Sequence, residues 1–418
     1  MTDTTQLRGE VAHWRLAVRA LADLDTVAAP AAWEALEHYV GRQVRSSLTG
    51  VITSLEGEAA ALQARVDTGH PPDEVRRGLL RLRSRYLRAE TLLDFYGDAI
   101  NSRTNPALGA LLRGYDTIAA DSMATILSPL GIPSPPVLTY VDKGLGASIL
   151  RAGIRLWDQS HPSPVAAIKL TRHNLSFPTA LLHETGHQVL ALTGYNDELA
   201  ARLGVALAPR STEVARLFAS WASELGADVH AVHHAGWPPA FALANVVDGD
   251  TRSVLRIRPG DPHPPALVRT LFNVALVRAW FGAGPWDDLA HAWTERHDLR
   301  RAGALGELTA ESLAALDTVV QVSSMTPMRC FRGASFGDVL DPRGASPERL
   351  RELEHRAGDT LLTSDYLKRR EPVRVLALLS ARGLADPARA ETHRRALTDW
   401  VQGLGGSPVP LPGTGAAA

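Results

Sequence analysis

The stretch Ala180-Leu-Leu-His-Glu-Thr-Gly-His-Gln-Val-Leu190 decides how the rest of this 418-residue chain is read. It holds His183-Glu184-x-x-His187 among apolar residues. Side chains four apart on a helix share a face, so both imidazoles can reach one cation. Glu184 is turned by about 100° from His183, beside such a cation instead of on it. There it can take a proton from a water bound to the metal. Ser176 as N-cap, Pro178 in the first turn and Gly194 past the end delimit the expected helix. Leu181, Leu182, Val189 and Leu190 make it partly buried. The alternative at this point is a buried helix whose histidines are satisfied by hydrogen bonds, with the motif a coincidence.

A catalytic zinc site takes three protein ligands and leaves one position for water. Downstream, Trp221-Ala-Ser-Glu-Leu-Gly-Ala-Asp-Val-His230 is again helical in pattern. Glu224 and Asp228 sit four apart, on one face. Their neighbours Leu217, Phe218, Trp221 and Leu225 are apolar. Two acids on so apolar a helix are better explained by a ligand role than by a solvated face. Glu224 is the candidate third ligand. Asp228 is the candidate acceptor for the second ring N–H of a ligand histidine. Further on, His263-Pro-Pro-Ala-Leu-Val-Arg269 places a histidine ahead of a proline-started helix and an arginine nearly two turns along it. Either can stabilise an oxyanion near a metal. A surface histidine and a structural arginine are the competing reading of that segment.

Taken together, His183-Glu-Thr-Gly-His187, Glu224-Leu-Gly-Ala-Asp228 and His263-Pro-Pro-Ala-Leu-Val-Arg269 resemble the gluzincin metallopeptidases. They are most similar to the family of the CAAX prenyl proteases and heat-shock membrane metalloproteases. The resemblance covers about residues 165 to 270. It implies zinc on His183, His187 and Glu224, Glu184 as general base, and Asp228 orienting a ligand histidine. It also implies that His263 and Arg269 lie near the substrate. In the zincin layout a small sheet lies beside the motif helix, and an edge strand holds an extended peptide. Val165–Leu170 is the expected edge. One departure stands out. Those relatives are mostly membrane proteins, whereas no apolar run here reaches the roughly 18 residues of a spanning helix. Membrane location and prenylated substrates are therefore not carried over.

The composition suits an ordinary soluble globular protein. Hydrophobic residues make up 45% of the chain, enough for a sizeable core. Forty-four basic against 45 acidic residues argue against a protein built to coat nucleic acid. The single cysteine, Cys330, rules out an intramolecular disulfide and a cysteine-rich zinc site. Its bland role is core filler. The polar N-terminus lacks the pattern of a secretory signal, so the expected compartment is the cytoplasm.

The chain is expected to be α+β and mostly helical. A helical region over 1–132 has breaks at Pro30, Pro71-Pro72 and Pro106, giving about four helices. A zincin-like core over 133–300 opens with three candidate strands, Val137–Val141, Ser148–Leu156 and Val165–Leu170. Within it one helix is expected from about Ser211 to His234 and another from Pro264-Pro265 to about Phe281. A helical region over 301–402 and a disordered tail over 403–418 complete it. His230, His233 and His234 are expected in the core or at the surface, although the i, i+4 pair His230 and His234 invites a second metal. Trp280, Trp286 and Trp293 are expected as packing anchors.

The functional expectation is a zinc-dependent peptidase acting on a peptide or protein substrate. The alternative is a helical binding or scaffold protein that keeps the shell of such a site without activity.

Overall fold

The computed structural model describes residues 3–144, 146–152, 163–175, 177–258 and 260–406. The expected N-cap Ser176, residues 153–156 of the second expected strand and residues 407–418 of the tail lie outside the described residues.

Five helices open the chain: α1 (Asp3–Ala20), α2 (Pro30–Val40), α3 (Val44–Asp67), α4 (Pro72–Asn101) and α5 (Pro106–Leu127). Proline begins α2, α4 and α5, where its missing N–H costs nothing. The extra division falls at Gly41, which closes α2 at φ 63°. That left-handed conformation favours glycine.

Strands β1 (Val137–Asp142), β2 (Ser148–Leu150) and β3 (Ala166–Thr171) form one small sheet. The chain is thus mostly helical with a three-stranded sheet, as its periodicities imply. The order is β1-β3-β2, with β1 parallel and β2 antiparallel to β3. This corrects the expected edge: β3 is hydrogen-bonded on both sides and cannot accept a further strand. The edges are β1 and β2. The error has a physical source, because an alternation of side chains reports faces, not lateral neighbours.

Buried Asp116 on α5 anchors the sheet. Its carboxylate accepts from the Thr139 backbone N–H at 2.6 Å, the Thr139 hydroxyl at 2.8 Å and the Arg103 guanidinium.

Next come α6 (Ala180–Thr193), α7 (Tyr195–Leu207), α8 (Thr212–Ser220), α9 (Ala222–Ala235) and α10 (Pro238–Val247). The single helix expected from Ser211 to His234 is therefore two, broken at buried Trp221 (φ −93°, ψ 1°). Pro178 lies ahead of α6, not in its first turn, and Gly194 closes α6 at φ 75° as expected. After the short α11 (Thr251–Val254) come α12 (Ala266–Phe281) and α13 (Pro285–Arg296). The chain finishes with α14 (Ala304–Leu313), α15 (Leu316–Val320), α16 (Phe336–Val339), α17 (Pro347–Ala357), α18 (Asp365–Arg370), α19 (Pro372–Ala385) and α20 (Ala390–Gly405). Helix α20 continues through Gly405, so Gly403–Gly405 belong to a helix and not to a disordered tail.

One core cluster joins α5, α6, α7, α9, α12, α19 and α20. Two glycines let α6 and α9 approach closely. A Cβ on Gly186 would lie 3.0 Å from His230 Cβ and 3.1 Å from Ala227 Cα. A Cβ on Gly226 would lie 2.8 Å from Leu190 Cδ1. Among the described residues no helix is long and apolar enough to cross a membrane.

Candidate metal centre

The α6–α9 contact brings the two sequence motifs together. His183 and His187 project from α6 toward Glu224 in the first turn of α9. Their Nε2 atoms lie 3.1 Å apart. Glu224 Oε2 is 3.3 Å from His183 Nε2, and Oε1 is 3.4 Å from His187 Nε2. Tetrahedral ligands at about 2.0–2.1 Å from zinc would lie about 3.4 Å from one another. The three observed separations therefore match one face of such a tetrahedron. Among the described residues this trio forms the one group of histidines, cysteines or carboxylates close enough to share an ion.

The far side of each imidazole is engaged. His183 Nδ1–H donates to Asp228 Oδ1 at 2.8 Å. His187 Nδ1 bonds Ser223 Oγ at 3.2 Å, and Asn196 Nδ2 donates to the same hydroxyl at 3.4 Å. Nδ1 protonation leaves both Nε2 lone pairs directed at the shared space. Asp228 is itself held in place. It accepts from Arg269 Nε and Nη2, each at 2.8 Å, and from Asn273 Nδ2 at 3.0 Å. Arg269 and Asn273 are one turn apart on α12, so that helix braces the ligand shell through Asp228.

Electrostatics explain why these groups tolerate burial. Burial pushes the Glu224 and Asp228 carboxyls up, but Arg269 and the facing histidines prevail and hold both well below the usual range. Burial and the Arg269 charge oppose protonation of His183. The Asp228 and Glu224 carboxylates outweigh them and hold it up at about 9. Burial and the neighbouring His183 charge push His187 down to about 3. Glu224 Oε2 is buried without a hydrogen-bond partner, although the Arg269 guanidinium passes 3.2 Å from it. A buried carboxylate oxygen without a hydrogen-bond partner, facing two imidazole Nε2 atoms, is a fit for a divalent cation. Two nitrogens and one carboxylate oxygen suit zinc.

Glu184 lies on the neighbouring face of α6 and lines the same cleft as the trio. Burial pushes its carboxyl up to about 7. The cleft has a volume of about 590 Å³ and opens to solvent. Strand β2 borders it on one side and α10 on the other. Gln188, next to His187, ties the β2 side to α6: its Oε1 accepts from Ala152 N–H at 2.7 Å, and its Nε2 donates to Ala152 O at 3.2 Å.

His263 stands at the rim, 55% exposed in its side chain. Asp261 Oδ1 accepts from its backbone N–H at 3.0 Å and lies 2.7 Å from Nδ1. That leaves Nε2 turned inward, 3.5 Å from Glu224 Oε2. Arg269, by contrast, is buried: it binds Asp228 through Nε and Nη2, and Nη2 also lies 3.1 Å from His183 Nε2 and 3.2 Å from Glu224 Oε2. All seven residues singled out in the sequence thus border one cleft. Ser223, Asn273 and Gln188 carry no motif signal, except that Asn273 repeats the Arg269 face at i+4.

The other marked residues fall elsewhere. His230, His233 and His234 are buried. Each is bonded to a backbone carbonyl, of Leu182, Leu340 and Ser122 respectively. Trp286 and Trp293 are core residues, and Trp280 Nε1–H donates to Ser324 Oγ. Cys330 is half-buried, and burial pushes its thiol up to about 12, away from reactivity. Asp338 completes the capping box of Ser335, and Asp341 caps the short helical turn that follows.

Compared with known proteins, the chain matches no family model, no curated protein and no solved structure.

Proposed function

We propose that this chain is a zinc-dependent peptidase of the gluzincin kind, acting in the cytoplasm on a peptide or protein substrate. The observation that carries this reading is the convergence of His183 Nε2, His187 Nε2 and the Glu224 carboxylate at tetrahedral-edge distances. They meet in an open cleft that Glu184 also lines. His183, His187 and Glu224 would hold the ion. A bound zinc supplies Lewis acidity, lowering the pKa of a water toward about 7 and polarising a carbonyl.

The chain's own residues do the rest. Glu184 takes the proton of the attacking water and returns it to the leaving amine. His263 Nε2 is aimed inward by Asp261, and in the imidazolium form its Nε2–H would donate to the developing oxyanion from the rim. Asp228 fixes the His183 ring, and Arg269 and Asn273 fix Asp228. The substrate backbone pairs with β2, which among the described residues is an edge strand of the sheet and borders the cleft.

Among the described residues no element fills the cleft, which supports an enzyme over a silent scaffold. Glu184→Gln tests the assignment. It is expected to keep zinc and to lose about 100-fold or more in the hydrolysis of a peptide mixture. Wild-type turnover in this variant would remove Glu184 as the base.

A further inference from the structure

A second cavity lies in the N-terminal helical region, between α2, the C-terminal end of α4 and the first half of α5. It has a volume of about 390 Å³, within the range of small-molecule sites, and opens to solvent. It shares no lining residue with the metal-bearing cleft. Ala35, Leu36 and Ile100 give it an apolar wall, and Tyr39 adds an aromatic ring. The ionisable groups around it are of one kind. Arg103, Arg113 and the exposed His38 line it, and no carboxylate does.

The two arginines differ in what they have left to offer. Arg103 is 11% exposed in its side chain. Its Nη1 donates to Ala99 O at 3.0 Å and to Thr139 O, and its Nη2 donates to Asp116. Asp116 also accepts from the Tyr39 hydroxyl at 3.1 Å. The charge of Arg103 is thus cancelled from behind the cavity, yet its Nε is buried without a hydrogen-bond partner. Such a donor is costly until an acceptor reaches it. Arg113 is half-buried, and its Nε donates to Gly405 O at 2.8 Å. Among the described residues no carboxylate pairs with its guanidinium. One uncancelled positive charge and one unpaired donor therefore stand beside an apolar wall. That combination fits a singly charged acid carried on an apolar body.

We propose that this cavity binds a small carboxylic acid with an aromatic or aliphatic body. The carboxylate meets the Arg113 guanidinium and Arg103 Nε, and the body lies against Leu36, Tyr39 and Ile100. An amine is rejected by the arginines, and a neutral amide loses the charge-assisted bonds. That loss weakens binding roughly 10- to 100-fold. The inference does not depend on the peptidase reading.

The test uses the full chain loaded with zinc and calorimetry with four probes: 3-phenylpropanoate, 3-phenylpropanamide, 3-phenylpropylamine and acetate. The aryl acid is expected to bind at least roughly 10-fold tighter than the amide or acetate, and the amine not to bind. Arg113→Gln removes the advantage of the acid over the amide. Ala35 is exposed, so Ala35→Glu keeps the fold while adding a carboxylate to the lining, and the same advantage is lost. Zinc content stays unchanged in both variants, which locates the loss in this cavity. The proposal is overturned if the aryl acid does not bind at millimolar concentration, or binds no tighter than the amide or acetate. It is equally overturned if the acid keeps its advantage in either variant, as it would when bound to the zinc instead.

Discussion

Asp228 Oδ1 lies 2.8 Å from His183 Nδ1, and the same carboxylate receives two hydrogen bonds from Arg269. One acid on α9 thereby ties a candidate ligand on α6 to a cation on α12. The arrangement fixes the tautomer of His183 and explains how three charged groups coexist in the interior. It gives Arg269 a positioning part: Nε and Nη2 bind Asp228, and Nη2 also lies 3.1 Å from His183 Nε2 and 3.2 Å from Glu224 Oε2.

Asp228→Asn keeps the shape of the side chain and removes its charge. Zinc affinity is expected to fall by roughly 10- to 100-fold, the usual effect of losing the partner of a metal-binding imidazole. Arg269 loses its charge-assisted hydrogen bonds to Asp228 and keeps only Glu224, 3.2 Å away, so stability falls by about 2 kcal/mol. Zinc competition against a chelator and urea unfolding measure the two effects. Unchanged affinity would show that Asp228 does not orient His183.

Gly186 sets the spacing of α6 and α9. Gly186→Ala places a methyl group about 3 Å from His230 and Ala227 on α9, so the helices must separate by a few tenths of an ångström. The expected cost is about 1–3 kcal/mol, with weaker zinc binding because Glu224 moves away from both histidines. Thermal unfolding with and without zinc checks this. A variant as stable as the parent, with full zinc affinity, would contradict the close-packing account.

Gln188 clamps Ala152 through both of its amide groups. Gln188→Ala removes both bonds, each worth about 1 kcal/mol. The neighbouring backbone should then open up to about 30-fold more often, and limited trypsin digestion should cut faster after Arg151. Zinc stoichiometry should not change. Equal digestion rates would show that β2 is held by the sheet alone.

The buried His233 predicts acid sensitivity of the fold. Burial pushes its pKa down to about 4, against about 6.5 in an unfolded chain. Between these values the unfolded state binds more protons, so stability is present above pH 6.5 and is lost as pH falls toward 4. From this group alone the loss is about 2 kcal/mol at pH 5. Urea unfolding at pH 7 and pH 5, with His233→Gln as the insensitive comparison, measures it. A pH slope unchanged in that variant would contradict the assignment.

Local signals made much of this legible in the sequence. Helical spacing placed His183 and His187 on one face, and an apolar setting marked Glu224 and Asp228 as unusual. Proline and glycine marked helix ends such as Pro106 and Gly194. What depends on tertiary neighbours was not legible. The order of β1, β3 and β2 follows from packing on α4 and α5, so Ala166–Thr171 was mistaken for an edge. Trp221 breaks a helix that periodicity carries straight through. Ser223 and Gln188 matter only because α6 meets α9 and the β2 segment in space.

The most direct measurement is the zinc content and affinity of the purified wild type beside Glu224→Ala. The account predicts about one zinc per wild-type chain and an affinity at least about 100-fold lower in the variant. A wild type that takes up no zinc, or a variant that binds it with unchanged stoichiometry and affinity, would contradict the account.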